Sequence, residues 1–193
     1  MNNRLYTIAG IVLITLSAGI HASPDDVGTL EAAAGSVPIP SADARMLEEL
    51  IDDQGDVRFS ISYPASGGRP AHRSSFIHVE DQSSVDTSAC TIVTRVMRQR
   101  DSAPSASHRS VLRLTDVTRM QITTMAAVSY SSSGRQPAPG TPLNVVDPDI
   151  QVVALDLRGT ADRGIFMFRS IEPARRFLAV LQRVVPRCGG RNE

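Results

Sequence analysis

Three histidines follow the apolar N-terminal stretch: His72, His78 and His108. Histidine is the side chain best suited to moving protons near neutrality and to holding borderline metals. A metal site on a strand needs ligands two residues apart, and on a helix four apart, with carboxylates converging. His78-Val79-Glu80 is the one pair with strand spacing. No third ligand stands beside it in the sequence, so no metal and no other cofactor is expected. His72 and His108 are read as loop residues beside Arg73 and Arg109, and His78 as a polar position on a solvated strand edge.

Nucleophilic chemistry has less support. Serines are plentiful, but no G-x-S-x-G elbow occurs; the segment from Tyr130 to Gly134 lacks the first glycine and is not followed by a helix pattern. A Ser–His–Asp site assembled from distant segments remains an alternative reading, with one of the three histidines as base. Carboxylate pairs stand at Glu48 and Glu49, at Asp52 and Asp53, and at Asp147 and Asp149. The first four fall on the solvated side or end of a short helix. The last two read as a turn entering a strand, with too few neighbouring oxygens for calcium. No catalytic residue is therefore assigned.

All 20 basic residues are arginine and none is lysine. A binding requirement would replace some lysines rather than every one, so the absence points to a GC-rich, bacterial coding sequence. The charge is nonetheless lopsided. From Cys90 onward arginines outnumber carboxylates 15 to 8, and Arg95, Arg98, Arg100, Arg109 and Arg113 gather around one expected hairpin. These five are the candidate contacts for an anionic partner. Nucleic acid is not the expected partner, because the chain has no Trp and few aromatics for base stacking.

Cys90 and Cys188 are the only cysteines. They are too few for structural zinc and lack CxxC redox spacing. In an exported chain their default state is a disulfide. Export is the reading of residues 1–22: Arg4 supplies a positive start, Tyr6 to Ile20 is apolar but short for a membrane span, and Ala22 precedes a small-residue cleavage point. The product is expected in the periplasm or outside the cell, with no stable membrane insertion. Residues 23–43 read as a flexible Ala/Gly/Pro-rich tether, and residues 44–193 as a single globular domain.

The elements that must position these residues follow from periodicity. Met46, Leu47, Leu50 and Ile51 give a short helix, Ala44 to Asp52, capped from Ser41 to Asp43. Strand patterns follow at Arg58–Tyr63, Ser75–Glu80, Ala89–Arg98, Val111–Leu114, Met120–Tyr130, Ile150–Leu157 and Gly164–Phe168. In the third, Cys90, Ile92, Thr94 and Val96 share one face. In the fifth, Met125 belongs to the set expected to face solvent. From Ser170 to Cys188, Ile171, Ala174, Phe177, Leu178, Leu181, Val184 and Val185 form the stripe of an amphipathic helix, stopped by Gly189 and Gly190.

The expected fold is α+β: an antiparallel β-roll or barrel of about seven strands, closed by the C-terminal amphipathic helix, with a short N-terminal helix. This element order resembles the pleckstrin-homology-type superfold over the span from Arg58 to Cys188. The resemblance implies a roll with a helix across it; it rests on no motif and carries no function. The expected function is that of an exported, soluble, non-catalytic binding module, whose partner is an envelope or extracellular protein or an anionic ligand. Alternatives are a small periplasmic hydrolase and a periplasmic inhibitor or immunity-type protein.

Overall fold

The computed structural model describes residues 37–65, 70–131, 144–160 and 163–191. The expected signal, residues 23–36 of the expected tether, and the long loop after Ser131 lie outside the described residues, as does the side chain of Tyr130. Residues just before the expected domain boundary pair with the rest of the described chain. Val37 N–H donates to the Arg187 carbonyl, Ile39 N–H donates to the Thr87 carbonyl, and the Ile39 side chain is buried.

Helix α1 spans Ser41–Gln54. Strands β1 (Asp56–Tyr63), β2 (His72–Asp86), β3 (Thr91–Arg100) and β4 (Ala106–Arg113) follow as an antiparallel meander. A 3-10 turn at Leu114–Asp116 then takes the chain out of that sheet. Strand β5 (Val117–Thr124), helix α2 (Met125–Ser131), and strands β6 (Val145–Asp147), β7 (Gln151–Leu157) and β8 (Arg163–Phe168) come next. Helix α3 (Ile171–Val184) and a 3-10 turn at Pro186–Cys188 end the described chain. The larger sheet has the order β4-β3-β2-β1-β6 and the smaller β5-β7-β8.

The α+β class and the C-terminal helix agree with the sequence reading. The closed roll or barrel does not: the two sheets stay open. The cause is local. Leu114 N–H donates to the Cys90 carbonyl and Arg158 N–H to the Asp116 carbonyl, so the chain turns away from β4 and β5 pairs with β7 instead. A second correction concerns Met120–Tyr130, expected as one strand. It breaks at Thr124, whose hydroxyl accepts the Ala127 N–H at 3.3 Å as a helix cap, and Met125 N–H donates to the Ile150 carbonyl. Met125 and Val128, three apart, are then both buried, where strand alternation would have put Met125 in solvent.

Two apolar clusters hold the layers together. One joins α1, α3, the Val153/Leu155 face of β7, and the Ile92/Leu112 end of the larger sheet. Phe166 and Phe168 meet Phe177 at ring separations of 4.8 and 5.2 Å. The other joins Val57, Phe59 and Ile61 of β1 to Val152 and Ala154, the opposite face of β7, and to α2. Phe177, Val180, Leu181 and Val184 of α3 are fully buried. At about 1.5–3 kcal/mol per side chain, that stripe far outweighs the exposed Arg183–Asp43 ion pair linking α3 to α1. Ile171, expected in the stripe, lies exposed in the first turn.

The long strand β2 serves both ends of the sheet by bending. Its pairing with β3 shifts register between Asp81 and Ser84, and Gln82 takes a left-handed φ of 49°. The donors freed there go to α1: Ser83 N–H to Asp52, and Val85 N–H to Glu48 at 2.8 Å. Glu48 and Asp52, expected on a solvated face, are therefore acceptors for the bulge.

Cys90 and Cys188 form the disulfide, with Cα atoms 5.8 Å apart and a sequence separation of 98. It fastens the end of α3's extension to the turn entering β3. Replacing both cysteines by serine is expected to cost about 4 kcal/mol of unfolding free energy, read by urea denaturation. An unchanged midpoint would contradict the clamp.

Candidate binding site on the inner face of the larger sheet

Strand alternation and register decide which side chains face inward. Phe59 pairs with Phe76 and Val57 with His78. His78 in turn pairs with Arg98, Glu80 with Val96, and Val96 with His108. Directly paired residues project to the same face. The inner face of β1 is therefore apolar, whereas β2, β3 and β4 add Ser74, His78, Glu80, Thr94, Arg98 and His108. This polar band lies between the two apolar clusters.

Its centre is buried. His78 is 3 % exposed and Glu80 5 %, with Thr94 and Ser74 equally covered. His78 Nε2 stands 3.7 Å from Glu80 Oε2, too far for a hydrogen bond, and has no hydrogen-bond partner. The Glu80 carboxylate accepts no hydrogen bond among the described residues. Gly55 explains why Glu80 is held there. A Cβ on Gly55 would lie 2.3 Å from the Glu80 carbonyl oxygen, and that close approach lets Glu80 N–H donate to the Gly55 carbonyl.

Toward β4 the band opens. Arg98 is half-buried, while Arg100 and His108 are exposed. Burial pulls the Arg98 guanidinium below its usual pKa range, opposed by the Glu80 charge. His108 is also held below the usual imidazole range, first by desolvation, then by Arg98 and His78, with Glu80 pulling the other way. These mutual effects place His78, Glu80, Arg98 and His108 in one electrostatic neighbourhood. At the outer end Tyr63 stacks on His72 and Phe59 on Phe76, with centroids 4.7 and 5.2 Å apart. Burial raises the Tyr63 phenol, with Arg100 opposing and Asp101 adding to the rise.

The five arginines proposed from sequence all lie on the β3–β4 hairpin but divide between its faces. Arg98 and Arg100 point inward; Arg95, Arg109 and Arg113 share the outer face. Arg95 is held by Asp81, with Nε donating at 2.7 Å, and that bond keeps the Asp81 carboxyl below its usual range. Arg100 donates to Ser74 Oγ at 3.1 Å, lies 3.6 Å from Asp101 and stacks over Phe76. Arg98 makes no hydrogen bond or contact ion pair among the described residues.

All three histidines sit on strands of this inner face, which corrects their reading as loop and edge residues. His72 opens β2, His108 lies in β4, and His78 is in the middle strand of five. The sequence signal for His78 was ambiguous for a physical reason. Phe76 lies on its face but Ile77 and Val79 lie on the other, so alternation alone does not choose which side goes inward. Among the described residues no three His, Cys, Asp or Glu side chains converge as a metal site. No helix of the described residues is long and apolar enough to cross a membrane. No protein-family model matches the chain, and no curated protein or solved structure shows significant similarity to it.

The buried pair is expected to be dispensable for folding. The double replacement His78→Leu with Glu80→Met should leave stability equal, or raise it by about 1–3 kcal/mol in urea denaturation. A loss instead would show the pair to be structural. The electrostatic neighbourhood has its own readout, the His108 titration followed by NMR. Glu80→Gln removes an attraction for the imidazolium and should move the His108 midpoint further down. Arg98→Gln removes a repulsion and should move it up.

Proposed function

We propose that this chain is an exported, non-catalytic binding module whose ligand seats on the inner face of the larger sheet. The observation that carries the reading is the buried His78 Nε2, which has no hydrogen-bond partner among the described residues and stands 3.7 Å from the Glu80 carboxylate. Buried polar groups without partners cost about 1–3 kcal/mol each, and apolar residues would pack there at no such cost. Groups of this kind concentrate where a ligand completes them.

Export belongs to the same proposal. It is supported by the short apolar N-terminal segment and by a disulfide of the kind that persists in oxidising compartments. The resemblance to the pleckstrin-homology-type superfold belongs here too, carried by element order and not by barrel closure. The hydrolase alternative gains nothing from the geometry. Ser74 Oγ is engaged by Arg100, and His78 Nε2 faces a carboxylate and not a hydroxyl.

The test is equilibrium dialysis of the purified protein against a defined mixture of amino acids, sugars, nucleotides and dicarboxylates, with retention read by mass spectrometry. At least one compound should be retained by the wild type and lost by the double variant His78→Leu with Glu80→Met. Retention of nothing, or equal retention by the variant, overturns the reading.

A further inference from the structure

The charges of the inner face identify the chemistry of the ligand, if that face is the ligand site as proposed above. Three fixed charges lie along it: Glu80, Arg98 and Arg100. Arg100 is satisfied, since Ser74, Asp101 and the Phe76 ring already surround its guanidinium. The other two are not. Glu80 is 5 % exposed, and among the described residues its one contact ion-pair neighbour is the His78 nitrogen at 3.7 Å. Arg98, directly across the ladder from His78, makes no hydrogen bond or contact ion pair among the described residues. Glu80 and Arg98 stand on a cross-strand diagonal, a spacing of roughly 7–8 Å at the backbone that long side chains can bridge. They form no contact ion pair.

A buried anion and a half-buried cation held near each other but unpaired constrain what fits between them. A simple anion would meet Arg98 but be repelled by Glu80. A simple cation would do the reverse. A neutral sugar would leave the Glu80 charge uncompensated in a covered position, where uncompensated charge is costly. A ligand with both signs satisfies both groups at once and leaves the inner face neutral there.

We propose that the inner face of β2 and β3 binds a free α-amino acid, its ammonium donating to Glu80 and its carboxylate accepting from Arg98. His78 Nε2 lies beside Glu80, where it contacts the same end of the ligand. Val96, 2 % exposed and paired with both Glu80 and His108, supplies an apolar floor. Charge-assisted bonds of this kind are the strong ones, and a guanidinium receives a carboxylate through two parallel donors.

The experiment is isothermal titration of the purified protein with the standard L-amino acids. For each binder, the N-acetylated form and the carboxamide form are titrated as well. At least one free amino acid should bind. Blocking either end should weaken it roughly tenfold or more, the scale of one lost charge-assisted contact. Glu80→Gln and Arg98→Gln should each produce the same loss. Should either variant misfold, Arg98→Lys and the blocked ligands carry the test, because the blocked ligands need no substitution at all. Absence of binding by every free amino acid, or equal binding of a blocked form, overturns the assignment. If dialysis nonetheless retains a sugar, a nucleotide or a dicarboxylate in a manner dependent on His78 and Glu80, only the amino-acid assignment falls. If dialysis retains nothing, the binding-site reading falls with it.

Discussion

The inward row of β2 is the constraint from which the rest of the structure follows. A strand in the middle of a sheet with one covered face must place every second side chain inside. Between His72 and Glu80 of β2 those positions are His72, Ser74, Phe76, His78 and Glu80. Only one is fully apolar, so β2 cannot anchor a continuous core. The apolar material splits into two clusters, one near α3 and one near α2, with the polar row between them. The smaller sheet serves both, with Val153 and Leu155 of β7 facing one cluster and Val152 and Ala154 the other. That double duty accounts for the near-continuous apolar run in β7, and β8 shares it, with Phe166 and Phe168 facing one cluster and Met167 the other.

The cluster near α3 then carries most of the fastening. Its fully buried stripe supplies the apolar area, and the Cys90–Cys188 bond fixes where the helix extension ends. The turn that presents Cys90 is itself held by a side chain. Asp86 accepts from the Ala89 N–H, the Ser88 hydroxyl and the Ser88 N–H, which together keep its carboxyl below the usual range. Cys90 follows with a left-handed φ of 53°. An exposed carboxylate thus orients the backbone from which the buried cross-link projects.

Much of this was legible in the sequence because it rests on periodicity. The α3 stripe, the inward set Cys90, Ile92, Thr94 and Val96, and the two-cysteine clamp are all patterns of spacing, and each is found in the structure. What was not legible depended on tertiary choices. Ala126, Ala127 and Ser129 suit helix and strand equally, so the break at Thr124 was decided by a cap and by the Ile150 carbonyl. Phe76 on one face of β2 and Ile77 and Val79 on the other left its orientation open, and with it the burial of His78 and Glu80. The five arginines were placed correctly on one hairpin, but the period of two sends Arg95 and Arg98 to opposite faces. Their proximity in sequence said nothing about whether they act together.

The difference between Arg98 and Arg100 shows how a site is separated from ordinary surface. Both lie on β3 and both face inward, two residues apart. Arg100 is surrounded by an acceptor, a carboxylate and an aromatic ring, an arrangement that neutralises it in place and orders the open end of the sheet. Arg98 is more deeply covered and has none of these. Covering a guanidinium costs solvation whether or not it is paired, and the pairing is what repays it. A chain selected only for stability would have exchanged that position for an apolar residue continuous with Val96. Its position opposite His78, diagonal to Glu80, brings three covered polar groups together with no hydrogen bond between them. That coincidence, more than the count of arginines, distinguishes the inner face from the solvated outer one.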